Sequence, residues 1–381
     1  MRTADETVPD HRALVREAGR VRLRLRPTPR PAPGELLVAT QVAGLCGTDI
    51  QMLRGLRDDP APVIGHEGIS RVVAAGPGVP GALCRPGTPV VVNPTHRFDP
   101  SFLLGHNVDG LLQERTLIPA TAVRDGLVVP LTQAPDPVLG TLIEPLAAVR
   151  YALALLAAAR PRTLVVYGDG TIGQLAVRAA RRWLDGVARV LLVHHTRTGL
   201  AWSARQAVPG VELLLDREPG PLGAEPVAAL LATPRDATLG ALESALRLNG
   251  GELTVDVFGG LPPGAASASL PGVDLAAVRA ANCAGHPVPA AFAQTATARG
   301  RPVRLTGQRG VGNRHLVEAA AELSRNPAAY RALVTHVVGL PEAARIMNDL
   351  TVSDRRTVAG SRLIKLAVRF APVPPSAQET Q

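Results

Sequence analysis

The sequence predicts an α/β plus β fold in two domains: a small all-β barrel or sandwich, and a parallel sheet flanked by helices. Three observations predict it. The chain has 381 residues, more than one domain usually holds. Short strands punctuated by Gly and Pro run to about residue 130. From about residue 142 the texture turns Ala- and Leu-rich, and strand and helix then alternate to about residue 305.

The elements follow in order. Residues 20–25 alternate basic and apolar side chains, as a half-exposed strand does. A Pro-rich turn over 27–33 leads into a strand at 35–43, and further short strands are expected at 70–75, 89–93 and 112–118. A helix is expected over 142–159, a buried strand over 163–167, a glycine turn, a helix to about Asp185, and a strand over 188–194. Helical periodicity returns over 313–324 after a candidate Asn cap. A terminal strand is expected at 362–367, and 371–381 reads as a loose end.

Composition narrows the function class. Hydrophobic residues make up 46% and charged residues 19%, enough to fill real cores. The net charge is +9, but of the 41 basic residues only Lys365 is a lysine, and the arginines are scattered without a basic block. Aromatics stand at 3%, so no aromatic–basic interleaving marks a nucleic-acid surface, and no nucleic-acid partner is expected. Three cysteines, Cys46, Cys84 and Cys283, argue against a disulfide framework and for a reducing compartment. The first ten residues are polar, and no apolar run reaches the roughly 20 residues a membrane helix needs. The expectation is a soluble cytoplasmic protein without a membrane partner.

Gly168-Asp169-Gly170-Thr171-Ile172-Gly173 is a G-x-G-x-x-G that directly follows the apolar run Leu164-Val165-Val166-Tyr167 and opens a helix. In that context the first glycine permits the tight turn, the second lets backbone approach a pyrophosphate, and the third lets helix and strand pack closely. The helix N-terminus adds N–H donors and a positive dipole end for phosphates. The plain alternative is a Gly-rich βα turn. An acid that would hold the ribose 2′-hydroxyl of NAD is missing some 20 residues on, where the chain reads Val193-His194-His195-Thr196-Arg197. Its absence, with Arg197 nearby, leaves room for the 2′-phosphate of NADP, so NADP is favoured over NAD; His195, like His194, is read either as a cofactor contact or as a plain strand-end residue.

Three further segments carry metal-ligand chemistry. Gly44-Leu45-Cys46-Gly47-Thr48-Asp49 offers a thiol, Gly65-His66-Glu67-Gly68 an imidazole and a carboxylate, and Leu142-Ile143-Glu144-Pro145 a second carboxylate. Each alone is unremarkable, since a lone Cys or His is usually structural. Together they meet zinc's ligand preferences with a position left open.

In these motifs, and in their order before GDGTIG, the chain resembles the zinc-containing medium-chain dehydrogenase/reductase family of alcohol, sorbitol, threonine and glucose dehydrogenases. The resemblance runs from about His11 to Val368. It implies a GroES-like partly open β-barrel catalytic domain at 1–148 and 308–381, and a Rossmann domain at 149–307. It implies that Cys46 and His66 ligate zinc, with Glu67 a ligand or beside one, and Glu144 a ligand directly or through water. Asp49 would orient His66, Thr48 would touch the substrate oxygen and pass its proton outward, and Lys365 would meet the cofactor pyrophosphate. Many members also hold a structural zinc on four closely spaced cysteines. The matching stretch, from about Asn93 to Leu111, has none, so one zinc per chain is expected, and His96 and His106 within it are not read as ligands. Homodimers or homotetramers are implied.

The implied activity is hydride transfer between NAD(P) and a secondary alcohol. Glu144 and the run Gly310-Val311-Gly312-Asn313-Arg314-His315 resemble glucose- and polyol-dehydrogenase relatives, and that carboxylate with the scarcity of aromatics favours a small polar hydroxylated substrate: a sugar, polyol, cyclitol or aminocyclitol. The alternatives are a zinc-independent NADPH reductase of activated alkenes or quinones, and a non-catalytic binding protein on the same scaffold.

Overall fold

The computed structural model describes residues 9–216, 220, 222–298, 300–353 and 356–371. It divides into two compact units. The first comprises Met1–Glu144, Ala320–Pro327 and Val334–Gln381, and the second Pro145–Ala319 and Ala328–Leu333.

Among its described residues the first unit builds a seven-stranded sheet. The path runs His336–Val338, Leu366–Arg369, Leu36–Gly44, Glu67–Ala75, Pro89–Val92 and Val128–Pro130, with Arg115–Ile118 added to Leu36–Gly44. The path has two free ends and does not close into a barrel. Leu36–Gly44 is buried over nearly its whole length, which is why it is mostly apolar on both faces, Thr40 and Gln41 apart, instead of alternating. Register shifts at Leu37/Val38 and Thr40/Val42 bend it against Glu67–Ala75. The helix Leu340–Val352 turns Leu340, Ala343, Ile346, Met347 and Leu350 into the same core as Val38, Val72 and Val90, at the three-to-four-residue spacing of one helix face.

The register of this sheet brings distant residues to one end. Gly44 pairs with Glu67, so the chain leaves one strand into Cys46 beside the point where it enters the next from His66. Ala367 also pairs with Gly44, which sets Lys365 at the same end.

The second unit holds a sheet ordered Val211–Leu215, Arg189–His194, Thr163–Tyr167, Val227–Leu231, Leu253–Asp256, Pro302–Thr306, Ala293–Ala296. Counted along the chain, the six parallel strands lie 3-2-1-4-5-6, the doubly wound order whose reversal beside the first strand makes a ligand crevice. Ala293–Ala296 joins antiparallel at the edge. Val165, Leu191, Ala229, Leu231 and Val255 pack in one cluster with Leu242, Ala245, Leu275 and Val278 of the helices Thr238–Leu246 and Leu275–Ala280.

Several boundaries differ from expectation. The first unit ends at Glu144, and 308–319 group with the second unit. There Gln308–Arg309 pairs with Asn282–Cys283, and the His315 ring stacks on Tyr151 with centroids 4.6 Å apart. The terminal strand splits: Ser361–Arg362 forms a small hairpin with Thr357–Val358, and the sheet strand is Leu366–Arg369. Of the expected loose end, 372–381 lie outside the described residues.

Candidate active site

The helix Gly47–Leu53 opens at Cys46, whose backbone N–H donates to Asp49 Oδ2 at 2.8 Å. That bond satisfies an N-terminal donor and fixes Cys46 at the head of the turn. Cys46, His66 and Glu67 each bring one ligand atom, and these atoms lie within 4.8 Å of one another. Among the described residues this is the group of His, Cys, Asp and Glu side chains that converges as metal ligands do. Thr48 Oγ1, Asp49 Oδ1 and His66 Nδ1 are buried without a hydrogen-bond partner. Buried polar atoms are rarely left so, and three in one cluster fit a group that completes it. Thiolate, imidazole and carboxylate are zinc's donor types.

The electrostatics agree. Burial acts to lower the His66 pKa, yet the Cys46 thiol, Asp49 and Glu144 together hold it well above its ordinary value. Three acidic groups therefore act on one buried imidazole and call for positive charge there. Burial first, with Glu67 adding to it, raises Glu144 to about 7 against the pull of His66 and Lys365. Glu144 follows the short helix Pro137–Gly140, whose Gly140 lies so close to Ile69 that a Cβ would sit 2.9 Å from the Ile69 Cβ. It stands outside the three-residue cluster, near enough for its charge to reach His66.

Two placements depart from the sequence reading. Asp49 Oδ1 lies 3.8 Å from His66 Nδ1, an ion-pair separation too long for a hydrogen bond. Lys365, expected at the cofactor pyrophosphate, is 1% exposed, and its ammonium is hydrogen-bonded and ion-paired to Glu67. A Cβ on Gly44 would stand 2.6 Å from Lys365 Cε, so the missing side chain there is what admits the lysine. A cation buried on Glu67 is not free for a phosphate. Sequence distance hid this pair, whose members are 298 residues apart.

The cysteine-free stretch is held by ordinary hydrogen bonds and close packing. His96 accepts the N–H groups of Phe98 and Asp99 on Nδ1 and pairs through Nε2 with Asp125 at 2.7 Å. Gly105 and Gly110 press backbone to backbone on Gly65, where Cβ atoms would come within 2.8 Å and 2.2 Å of the Gly65 oxygen. This packing carries His106 to the metal cluster, its ring centroid 5.1 Å from that of His66. His106 Nδ1 lies 3.2 Å from Asp59 Oδ2, and Arg57 holds Asp59 at 2.7 Å. Arg57 and then His106 draw the Asp59 pKa down to about 2, and burial with the nearby His66 brings His106 down to about 4. Asp59 is thus an ionised acceptor, and the neutral His106 ring donates through Nδ1.

In the second unit Gly168 has φ +99° and its N–H donates to Val193 O at 3.1 Å. A Cβ on Gly173 would stand 1.8 Å from Gly168 O, so only glycine lets the helix Thr171–Trp183 meet the strand Thr163–Tyr167 here. Gly170, the N-cap of that helix, differs: a Cβ there would meet nothing within 4 Å. Thr171 and Ile172 form the first turn behind it. His194 is fully buried, with Nδ1 3.0 Å from Leu214 O and Nε2 2.8 Å from Ser203 Oγ. His195 is 89% exposed and 3.7 Å from Asp216, and Arg197 opens the next helix, Arg197–Gln206, exposed.

Known proteins match this picture. The alcohol dehydrogenase GroES-like domain matches residues 32–127. A zinc-type alcohol dehydrogenase-like protein of Haemophilus influenzae is 30% identical over 173 residues, 40% of this chain and 48% of that protein. The glucose 1-dehydrogenase of Thermoproteus tenax is 30% identical over 181 residues, 42% of this chain and 51% of that one. Over these segments the chain is similar to zinc-type alcohol and sugar dehydrogenases, and residues 32–127 carry the alcohol dehydrogenase GroES-like domain. The matched segments span about half the length of these curated relatives. In fold, the chain resembles a Sinorhizobium meliloti protein solved with NADP bound, at 21% identity and TM-score 0.68, covering 95% of this chain and 100% of that one. No helix among its described residues is long and apolar enough to cross a membrane.

Proposed function

We propose that the protein is a zinc-dependent NAD(P) dehydrogenase that oxidises a secondary alcohol of a sugar, polyol or (amino)cyclitol, or reduces the corresponding ketone. The convergence of Cys46, His66 and Glu67 within 4.8 Å carries this reading. Cys46 and His66 would hold the zinc, with Glu67 and Glu144 supplying carboxylates to it or beside it. A zinc ion so held supplies Lewis acidity to an alcohol or carbonyl oxygen, and the nicotinamide supplies the hydride carrier.

The chain's own residues do the rest. Thr48 would accept the substrate's hydroxyl proton and pass it outward, a role its buried, unpartnered Oγ1 supports. Asp49 holds the first turn of its helix and with it the Cys46 thiol. Gly168, Gly170 and Gly173 with the helix start at Thr171 and Ile172 would seat the pyrophosphate. NADP fits better than NAD, because His195 and Arg197 stand exposed where an acid would repel a 2′-phosphate. The acidic Glu144 and the likeness to a glucose dehydrogenase support a polyhydroxy substrate. Absorbance at the nicotinamide band, with a panel of sugars, polyols and cyclitols and with both dinucleotides, tests the proposal. Turnover of a polyhydroxy alcohol with a preference for NADP is expected. Turnover of activated alkenes instead would refute it.

A further inference from the structure

We propose that His106 is a positioning residue for the zinc ligand His66, holding its ring by face contact where a hydrogen bond does not. The inference rests on the zinc reading above and adds a residue to it.

A ligating histidine is ordinarily oriented by a hydrogen bond from its second ring nitrogen. Here His66 Nδ1, the nitrogen turned to Asp49, has no hydrogen-bond partner, and the Asp49 carboxylate stops 3.8 Å short. What touches the ring instead is another imidazole. The His106 ring lies 5.1 Å from it, centroid to centroid, at 34° between planes, within the range of favourable ring pairs.

His106 is itself fixed on several sides. Its Nδ1 is 3.2 Å from Asp59 Oδ2, and Arg57 grips both Asp59 oxygens at 2.7 and 3.2 Å. Its backbone C=O accepts from Ala61 N–H at 2.8 Å, and its N–H donates to Leu103 O at 3.0 Å. Arg16 bonds the carbonyls of Asp59 and Ala61, tying the 57–61 segment to the strand His11–Glu17. Three tightly packed glycines, Gly65, Gly105 and Gly110, set the distance between the His66 loop and the His106 loop. The ring that meets His66 is thus held in place by its own side-chain and backbone hydrogen bonds. A planar group held this way restricts His66 rotation about its Cβ–Cγ bond and keeps its other nitrogen on the cluster.

The test compares His106→Phe with His106→Leu. Both lose the Asp59 bond and keep an apolar side chain, and only Phe keeps a flat ring. Zinc affinity is measured by chelator competition, and the metal environment by the visible spectrum of cobalt-substituted protein. Leu is expected to weaken zinc binding by about tenfold or more and to shift the cobalt bands, the range typical of lost ligand-orienting contacts. Phe is expected to stay close to wild type in both. Equal zinc affinity and spectra in Leu and wild type would overturn the inference, as would a Phe variant as impaired as Leu, since a merely structural role would follow the lost Asp59 bond. If wild type itself bound no zinc, the proposed function would fail and not this contact alone.

Discussion

Cys46 does two jobs at one position: its backbone N–H closes the turn with Asp49, and its sulfur faces His66. Replacing the sulfur leaves the turn intact, so Cys46→Ala is expected to fold normally while losing zinc and lowering turnover by roughly a thousandfold or more, as loss of a catalytic metal does. Metal content and steady-state rates check this. A second residue sets a pH dependence. Asp256 ends the strand Leu253–Asp256, fully buried, with neither carboxylate oxygen hydrogen-bonded, and burial raises its pKa to about 7 against the pull of Arg279. A carboxyl raised in the folded state keeps a proton that the unfolded chain gives up. Its contribution is therefore most favourable below about pH 4, declines as pH rises to about 7, and is flat above, a loss on the order of 4 kcal/mol. Asp256→Asn is expected to remove that decline, read as urea midpoints that differ less between about pH 5 and about pH 8 than in wild type.

The glycine turn after Thr163–Tyr167 separates two roles that its motif merges. Gly173 is required by the fold, since a Cβ there would overlap Gly168 O. Gly170 faces open space, so nothing in the protein requires it. Gly170→Ala is expected to leave the melting temperature nearly unchanged and to weaken dinucleotide binding by about tenfold or more, because under the proposed function the methyl group would stand where the pyrophosphate would approach. Gly173→Ala is expected to lower both. Fluorescence titration with NADPH beside thermal unfolding distinguishes them. At the neighbouring helix, Arg197→Ala is expected to raise KM for NADP by about tenfold and leave KM for NAD unchanged, since only the 2′-phosphate would use that charge.

At this scale the sequence was most legible where pattern is local. The strand Thr163–Tyr167 and the helix it feeds follow from an apolar run, a glycine turn and a helical period, and need no distant partner. The terminal strand begins later than its pattern suggests, because Leu363 and Ile364 extend the apolar residues of a strand while the pairing begins only at Leu366.

Across the whole chain, the segments that make the metal cluster are legible as motifs, but what surrounds them is not. Lys365 reached Glu67 through the register of three strands, and His106 reached His66 through three glycines, neither of which leaves a periodic signal. The assignment of 308–319 to the second unit likewise rests on tertiary contacts, Gln308 on Ala148 O at 2.6 Å and His315 on Tyr151. The net charge of +9 comes from arginines dispersed along the chain, without a block that would mark a polyanion surface. Pairs such as Arg12–Glu114, Arg26–Asp109 and Arg189–Glu212 leave that excess unchanged and, lying at or near the surface, add little stability.

The central claim is that one metal ion belongs to the Cys46–His66–Glu67 cluster. Elemental analysis of the purified wild type beside Cys46→Ala tests it most directly. One zinc per chain in the wild type and none in the variant is the predicted result; a wild type that oxidises its alcohol with NADP at full rate while carrying no metal would contradict it.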